Sequence, residues 1–128
     1  MVREVINMLN YNSCLIFSET PDKLAEFYGK VFETKPVWEE QGYTSYQVGS
    51  GMVTIGPHDK VKGKNLNPER IMINFETADP VKVSERIKKL GATVIAEPYH
   101  PGESPDMWIA TFADPDGNYF QLGSPMKM

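Results

Sequence analysis

Short, β-favouring apolar runs alternate along this chain with two longer segments whose apolar residues recur every three to four positions. Residues 13–18, SCLIFS, predict a strand. Thr20 suits a helix N-cap and Pro21 the first turn that follows. Leu24, Phe27, Tyr28, Val31 and Phe32 then fall at i, i+3, i+4, i+7 and i+8, the apolar stripe of an amphipathic helix, with Gly29 as a weak point inside it. Residues 35–39, 43–48 and 52–55 predict three strands, separated by Gln41-Gly42 and by Gly49-Ser50-Gly51. Residues 57–68 form a polar connection. A strand over 71–77 follows, then a helix opened by Asp79-Pro80 and closed by Gly91, with Val83, Ile87 and Leu90 on one face. Residues 93–96 predict a strand. The three prolines and one glycine of 98–106 predict a long loop, and 107–112 and 119–122 predict the last two strands. For residues 1–11 the pattern admits either a short strand or a helical turn.

The element order is therefore β-α-β-β-β, stated twice. A shift of 59 residues lays Pro21 on Pro80, Lys23 on Lys82, Glu26 on Glu85, Lys30 on Lys89 and Thr34 on Thr93. It also lays Leu24 on Val83, Tyr28 on Ile87 and Val31 on Leu90. Amphipathic helices share some of this by chance, so the repeated order of elements is the stronger sign of an internal duplication. The chain reads as one α+β domain over 1–128, with module one at about 10–56, a linker at about 57–69 and module two at about 70–124.

Composition narrows the function classes. At 128 residues the chain can bury a core without disulfides, and Cys14 is the only cysteine, so no intrachain disulfide forms. A hydrophobic share of 41% with 23% charged residues suits a soluble globular protein, and no apolar run approaches the about 20 residues of a membrane span. The N-terminus lacks a signal-peptide pattern, so a cytoplasmic location is expected. The net charge is −4 and the lysines look scattered, which argues against a nucleic-acid binder and for a neutral or cationic small molecule. Phosphate loops, G-x-G-x-x-G, nucleophile elbows and CxxC are all missing.

One stretch carries a more specific signal. Residues 111–122, TFADPDGNYFQL, place the turn formers Asp114-Pro115-Asp116-Gly117-Asn118 between two strand-favouring runs, which predicts a β-hairpin. The same string resembles the F-x-DPDGN-x-x-E-L signature that closes the last βαβββ module of the vicinal oxygen chelate superfamily, the glyoxalase, bleomycin resistance and extradiol dioxygenase group. The resemblance covers roughly residues 10–124. It implies two βαβββ modules forming a cup-shaped, partly closed mixed sheet with helices outside, and a homodimer of two-fold symmetry. It also implies a divalent metal held by His, Glu or Gln from the first and last strand of each module. Counting from Phe27-Tyr28 and from the repeat, those positions are Ser13, Val53 or Thr54, Met72 and Gln121, with Gln121 standing where the signature has Glu. None is His or a carboxylate, and a hard or borderline divalent ion needs such donors. No metal or other cofactor is expected.

Alternation assigns the rest of the cup. Ser13, Leu15 and Phe17 share one face, as do Met72, Asn74 and Glu76, and Tyr119 and Gln121, while Cys14, Ile16, Ile73 and Phe75 face the helices. Cys14 reads as a small buried hydrophobe. His58 and His100 lie in loops beside Pro57 and Pro101 and read as surface residues. Trp38, Tyr43, Tyr46, Tyr99 and Trp108 are available either as packing or as rim aromatics that stack on a planar ligand. The expected ligand set is Ser13, Leu15, Trp38, Tyr46, Met72, Asn74, Glu76, Trp108 and Gln121, with the 98–106 loop as a lid. Resemblance to the metal-less bleomycin-resistance branch implies a binder that sequesters a planar, possibly cationic molecule. Two alternatives stay open: a lyase, isomerase or dioxygenase with displaced metal ligands, and a regulatory interaction domain using the same cup.

Overall fold

In the structure, a computed structural model, residues 8–102 and 104–125 are described, so most of the 1–11 segment, left open between strand and helix, lies outside them. Two modules follow one another, each a strand, a helix and three strands. The first holds β1 (Ser13–Ser18), α1 (Pro21–Phe32), β2 (Trp38–Glu40), β3 (Tyr43–Val48) and β4 (Gly51–Pro57). The second holds β5 (Ile73–Glu76), α2 (Pro80–Lys89), β6 (Thr93–Tyr99), β7 (Ile109–Ala113) and β8 (Tyr119–Gly123). Each makes a four-stranded mixed sheet, in the orders β1-β4-β3-β2 and β5-β8-β7-β6, with the first strand parallel to the last. The α+β class and the doubled βαβββ order match the sequence reading.

The duplication extends to individual hydrogen bonds. Before α1, the Thr20 N–H donates to Ser18 Oγ at 2.9 Å; before α2, 59 residues on, the Asp79 N–H donates to Thr77 Oγ1 at 3.3 Å. Both turns aim the chain from a strand into a helix that has proline in its first turn. Asp79 also caps its helix by accepting from the Lys82 N–H. Thr20 stands at the N-cap but makes no side-chain cap bond, so Ser18 supplies the local anchor there instead.

Strand ends depart from expectation where proline intervenes. The second strand covers 38–40 rather than 35–39, because Pro36 has no N–H to offer, although the Val37 N–H still reaches the Ser45 carbonyl. The sixth strand runs through Pro98 to Tyr99, which an edge strand tolerates. The seventh starts at Ile109, not Met107.

One hydrophobic core joins the modules. Leu24, Tyr28 and Val31 of α1 bury against Ile16, Val53 and Ile55, and the same cluster runs on through Ile87, Ala110, Phe112, Phe120 and Leu122. Phe27, Tyr28 and Phe32 of the first module meet Phe75 and Phe120 of the second edge-on at 5.2–6.1 Å. Fully burying such side chains stabilises by roughly 1.5–3 kcal/mol each. Arg86 of α2 adds a polar tie, donating to the Lys30 and Val31 carbonyls at the end of α1. No helix among the described residues is long and apolar enough to cross a membrane.

Candidate ligand-binding site

Strand register divides each sheet into a helix-facing side and a far side. In the first sheet Cys14, Ile16, Val53, Ile55 and Tyr46 face the helices. Ser13, Leu15 and Phe17 therefore lie on the far side with Met52, Thr54 and Ser45, and Trp38 pairs with Ser45 on that side. In the second sheet Ile73, Phe75, Phe120 and Leu122 face the core, and Asn74 lies beside Gln121 on the far side. The far sides are open in a single chain: Leu15 is 57% exposed, Trp38 46% and Met72 42%.

Most of the expected ligand set thus lies on these far sides, with Glu76 exposed at the end of β5. Two members stand elsewhere. Tyr46 is a core residue; its ring meets Phe32 and its hydroxyl donates to the Ala25 carbonyl at 2.7 Å. The alternation of β3 puts it opposite Val53, on the helix side. Trp108 precedes β7, with its ring against His100 at 3.9 Å and its backbone N–H donating to Ser124 Oγ. The open choice between Val53 and Thr54 resolves to Thr54, since Val53 is buried against α1.

The four positions where the resemblance implies metal ligands are then Ser13, Thr54, Met72 and Gln121. Three neutral oxygen-bearing side chains and a thioether do not fit a hard or borderline divalent ion. Thr54 is moreover engaged by the Ser45 hydroxyl. Among the described residues, no three His, Cys, Asp or Glu side chains gather where they could hold one.

The far sides carry aromatic and acidic groups together. Trp38 and Glu40, two apart in β2, oppose Ser45 and Tyr43, and Tyr43 meets Phe17 edge-on at 6.5 Å. Phe17 in turn meets the His58 ring at 5.2 Å, so this loop histidine, expected at the surface, closes an aromatic cluster while staying exposed.

The structure also shows a cavity of about 460 Å³ that no strand pattern revealed. It lies where β1 of one module and β5 of the other meet the linker, walled by Leu15, Ile71 and Ile73 and bordered by Lys60, Lys62 and Lys64. Three of the ten lysines gather here. The signal was the alternation K-V-K-G-K at 60–64 in a chain of net charge −4. Cys14 faces the helices, as expected, yet is only half-buried because it borders this cavity; burial pushes its thiol pKa up.

The DPDGN hairpin forms the cavity's far wall and is held by one carboxylate. Asp114 accepts from the Asp116 and Asn118 N–H groups, from the Asn118 amide, and from the Tyr28 hydroxyl of α1 at 2.6 Å. Burial and the adjacent carboxylate keep the Tyr28 phenol well above its ordinary pKa, so it stays a donor. The linker docks on the same hairpin: the Asn65 N–H donates to the Asp116 carbonyl at 2.8 Å and its amide to Asn118 Oδ1 at 3.0 Å. Here the signature is an architectural joint between two modules and their connection.

A glyoxalase-like domain model matches residues 14–123. Among solved structures, a glyoxalase/bleomycin resistance protein/dioxygenase family enzyme from Burkholderia phytofirmans PsJN is similar at a TM-score of 0.74 and 19% identity, covering 92% of this chain and 100% of that one. The fosfomycin resistance protein FosX from Mesorhizobium loti superposes at 0.64 with 21% identity, covering 95% of both chains. TioX from Micromonospora sp. ML1 superposes at 0.71 with 11% identity, covering 91% of this chain and 99% of that one. No curated protein matches.

Proposed function

The chain belongs to the glyoxalase-like domain family, within the vicinal oxygen chelate superfamily, and from that premise we propose that it is a metal-free binder of a small planar molecule. The donor set carries this proposal: Ser13, Thr54, Met72 and Gln121 occupy the positions where the superfamily resemblance implies metal ligands. What those positions offer instead is an apolar platform with a few polar anchors, the composition a small-molecule site needs. Leu15, Met72 and Trp38 supply area; Asn74 and Gln121 can orient a polar edge of the ligand. Glu40 and Glu76 on the same sides favour a cation, and an aromatic cation over Trp38 gains roughly 0.5–2 kcal/mol from the ring.

The working form is a cytoplasmic homodimer in which the open sheet faces of two chains meet around the ligand. Open apolar sheet faces support this, because a single chain leaves them in water. Bleomycin is the first compound to test, alongside a panel of planar cations. Trp38 stands on the platform, so a bound ring should quench its fluorescence saturably, and Trp38→Ala should weaken binding about tenfold or more. Absence of both quenching and calorimetric heat across the panel defeats the proposal. Elemental analysis after dialysis against zinc, nickel, iron or manganese tests it from the other side. One tightly held ion per chain would favour an enzyme with displaced ligands.

A further inference from the structure

The cavity between the modules has a charge opposite to that of the sheet faces, and Leu15 is the one residue it shares with the proposed ligand platform. Its volume of about 460 Å³ falls within the range of small-molecule sites, roughly 300–1,000 Å³. Three features give it a ligand chemistry. Leu15, Val61, Ile71 and Ile73 line it with aliphatic surface. Along 60–64 Val61 is half-buried while Lys60, Lys62 and Lys64 stay exposed at its border. Lys62 reaches Glu19 only at 4.0 Å, and among the described residues Lys60 and Lys64 have no ion-pair partner. The one carboxylate among the lining residues, Asp116, is partly buried with its Oδ2 unbonded, and the three lysines outnumber it.

The rim is also fixed in place. The Gly63 N–H donates to Glu19 Oε1 at 3.0 Å on one side of Lys64, and Asn65 is bonded to the DPDGN hairpin on the other. Holding the charged backbone before a ligand arrives lowers the ordering cost of binding.

We propose that this inter-module cleft binds a small aliphatic or aromatic carboxylate, its apolar body along Leu15, Val61, Ile71 and Ile73 and its carboxylate among Lys60, Lys62 and Lys64. A neutral apolar molecule would leave the lysines unused, a polyphosphate would leave the aliphatic wall unused, and a cation would be repelled. Hydrogen bonds from an ammonium to a carboxylate are about twice as strong as neutral ones, which makes the charge the discriminating feature.

Cys14 is a built-in reporter, since it is the only cysteine and borders this cleft rather than the open sheet faces. The experiment follows the rate at which iodoacetamide alkylates Cys14 in the full chain at mildly alkaline pH, with octanoate, octanamide or octylammonium added. Octanoate should slow labelling saturably by about fivefold or more. Octanamide should need at least about tenfold higher concentration, and octylammonium should not protect. Replacing the three exposed lysines by glutamine (K60Q/K62Q/K64Q) should raise the half-protecting octanoate concentration at least about tenfold while the unprotected rate stays the same. Ile71→Glu, at a position 80% exposed, should abolish protection independently by placing a like charge at the cleft. No protection by octanoate, equal protection by all three compounds, or unchanged protection in the lysine variant would each overturn the proposal. Because the readout does not involve Trp38 or a planar cation, it stands or falls apart from the proposed function.

Discussion

Asp114 shows how a single side chain can organise a motif. Its carboxylate is buried, and its pKa lies above the ordinary 3.8 because burial outweighs the hydrogen bonds from Tyr28 and Asn118 that favour the ionised form. The folded pKa of this acid is therefore raised, so the folded state binds the extra proton. The contribution of Asp114 to stability should rise as pH falls from the folded pKa toward 3.8, opposite to that of a salt-bridged carboxylate. Carboxyl-carbon NMR should show Asp114 titrating above 3.8. Tyr28→Phe removes a bond that favours the charged form, so the titration should move further up. The same substitution should cost about 1–2 kcal/mol in urea unfolding. Asp114→Ala should cost more, about 3–5 kcal/mol, because four donors lose their acceptor. An Asp114 titration unmoved by Tyr28→Phe would mean that the Tyr28 bond does not govern it. The sequence announced the hairpin through Pro, Gly and Asn, but it gave no sign that Tyr28, 86 residues away, is its fourth tie.

Among the elements, α1 carries the least expected choice. Gly29 looks like a flaw in an amphipathic helix, since glycine costs up to about 1 kcal/mol relative to alanine in a helix interior. The structure supplies the reason: a Cβ there would lie 2.7 Å from the Tyr46 hydroxyl, which bonds the Ala25 carbonyl one turn earlier. Gly29→Ala should therefore destabilise by about 1–2 kcal/mol despite its better propensity. Most of that cost should vanish in a Tyr46→Phe background, where no hydroxyl competes for the space; a double-mutant cycle by thermal unfolding measures it. Equal costs in both backgrounds would mean that the hydroxyl is not the obstacle. This contact explains what the pattern could and could not reveal. Periodicity located α1, α2 and nearly every strand, because burial on one face imposes it. It could not say which aromatic would reach across from β3, so Tyr46 was expected on the ligand side. A one-residue uncertainty in β4 likewise left Val53 and Thr54 open, since period two turns every such slip into a change of face. The linker escaped for another reason: its place is set by Asn65 on a distant hairpin and not by any local pattern.

For the whole molecule, the first consequence concerns assembly. If two chains meet through the open sheet faces, Leu15→Glu places a charge in the interface, which costs several kcal/mol when left unpaired. Sedimentation should find a dimer for the wild-type chain, and a 14.5 kDa monomer of unchanged circular dichroism for the variant. A wild-type monomer at micromolar concentration would remove the dimer from the proposal. The second consequence follows from the joint at Asp114. Duplicated modules invite the expectation that each half is a folding unit of its own, as in repeat proteins whose units melt in turn. The contacts here run against that. The helix of the first module rests its aromatic face on strands of the second, and its tyrosine is anchored by a hairpin completed near the end of the chain. The two halves share one interior, so the symmetry of shape should not extend to the energetics. Trp38 in the first module and Trp108 in the second provide a direct check. Single-tryptophan variants, each retaining one of the two, should report the same midpoint in urea, one transition for two halves.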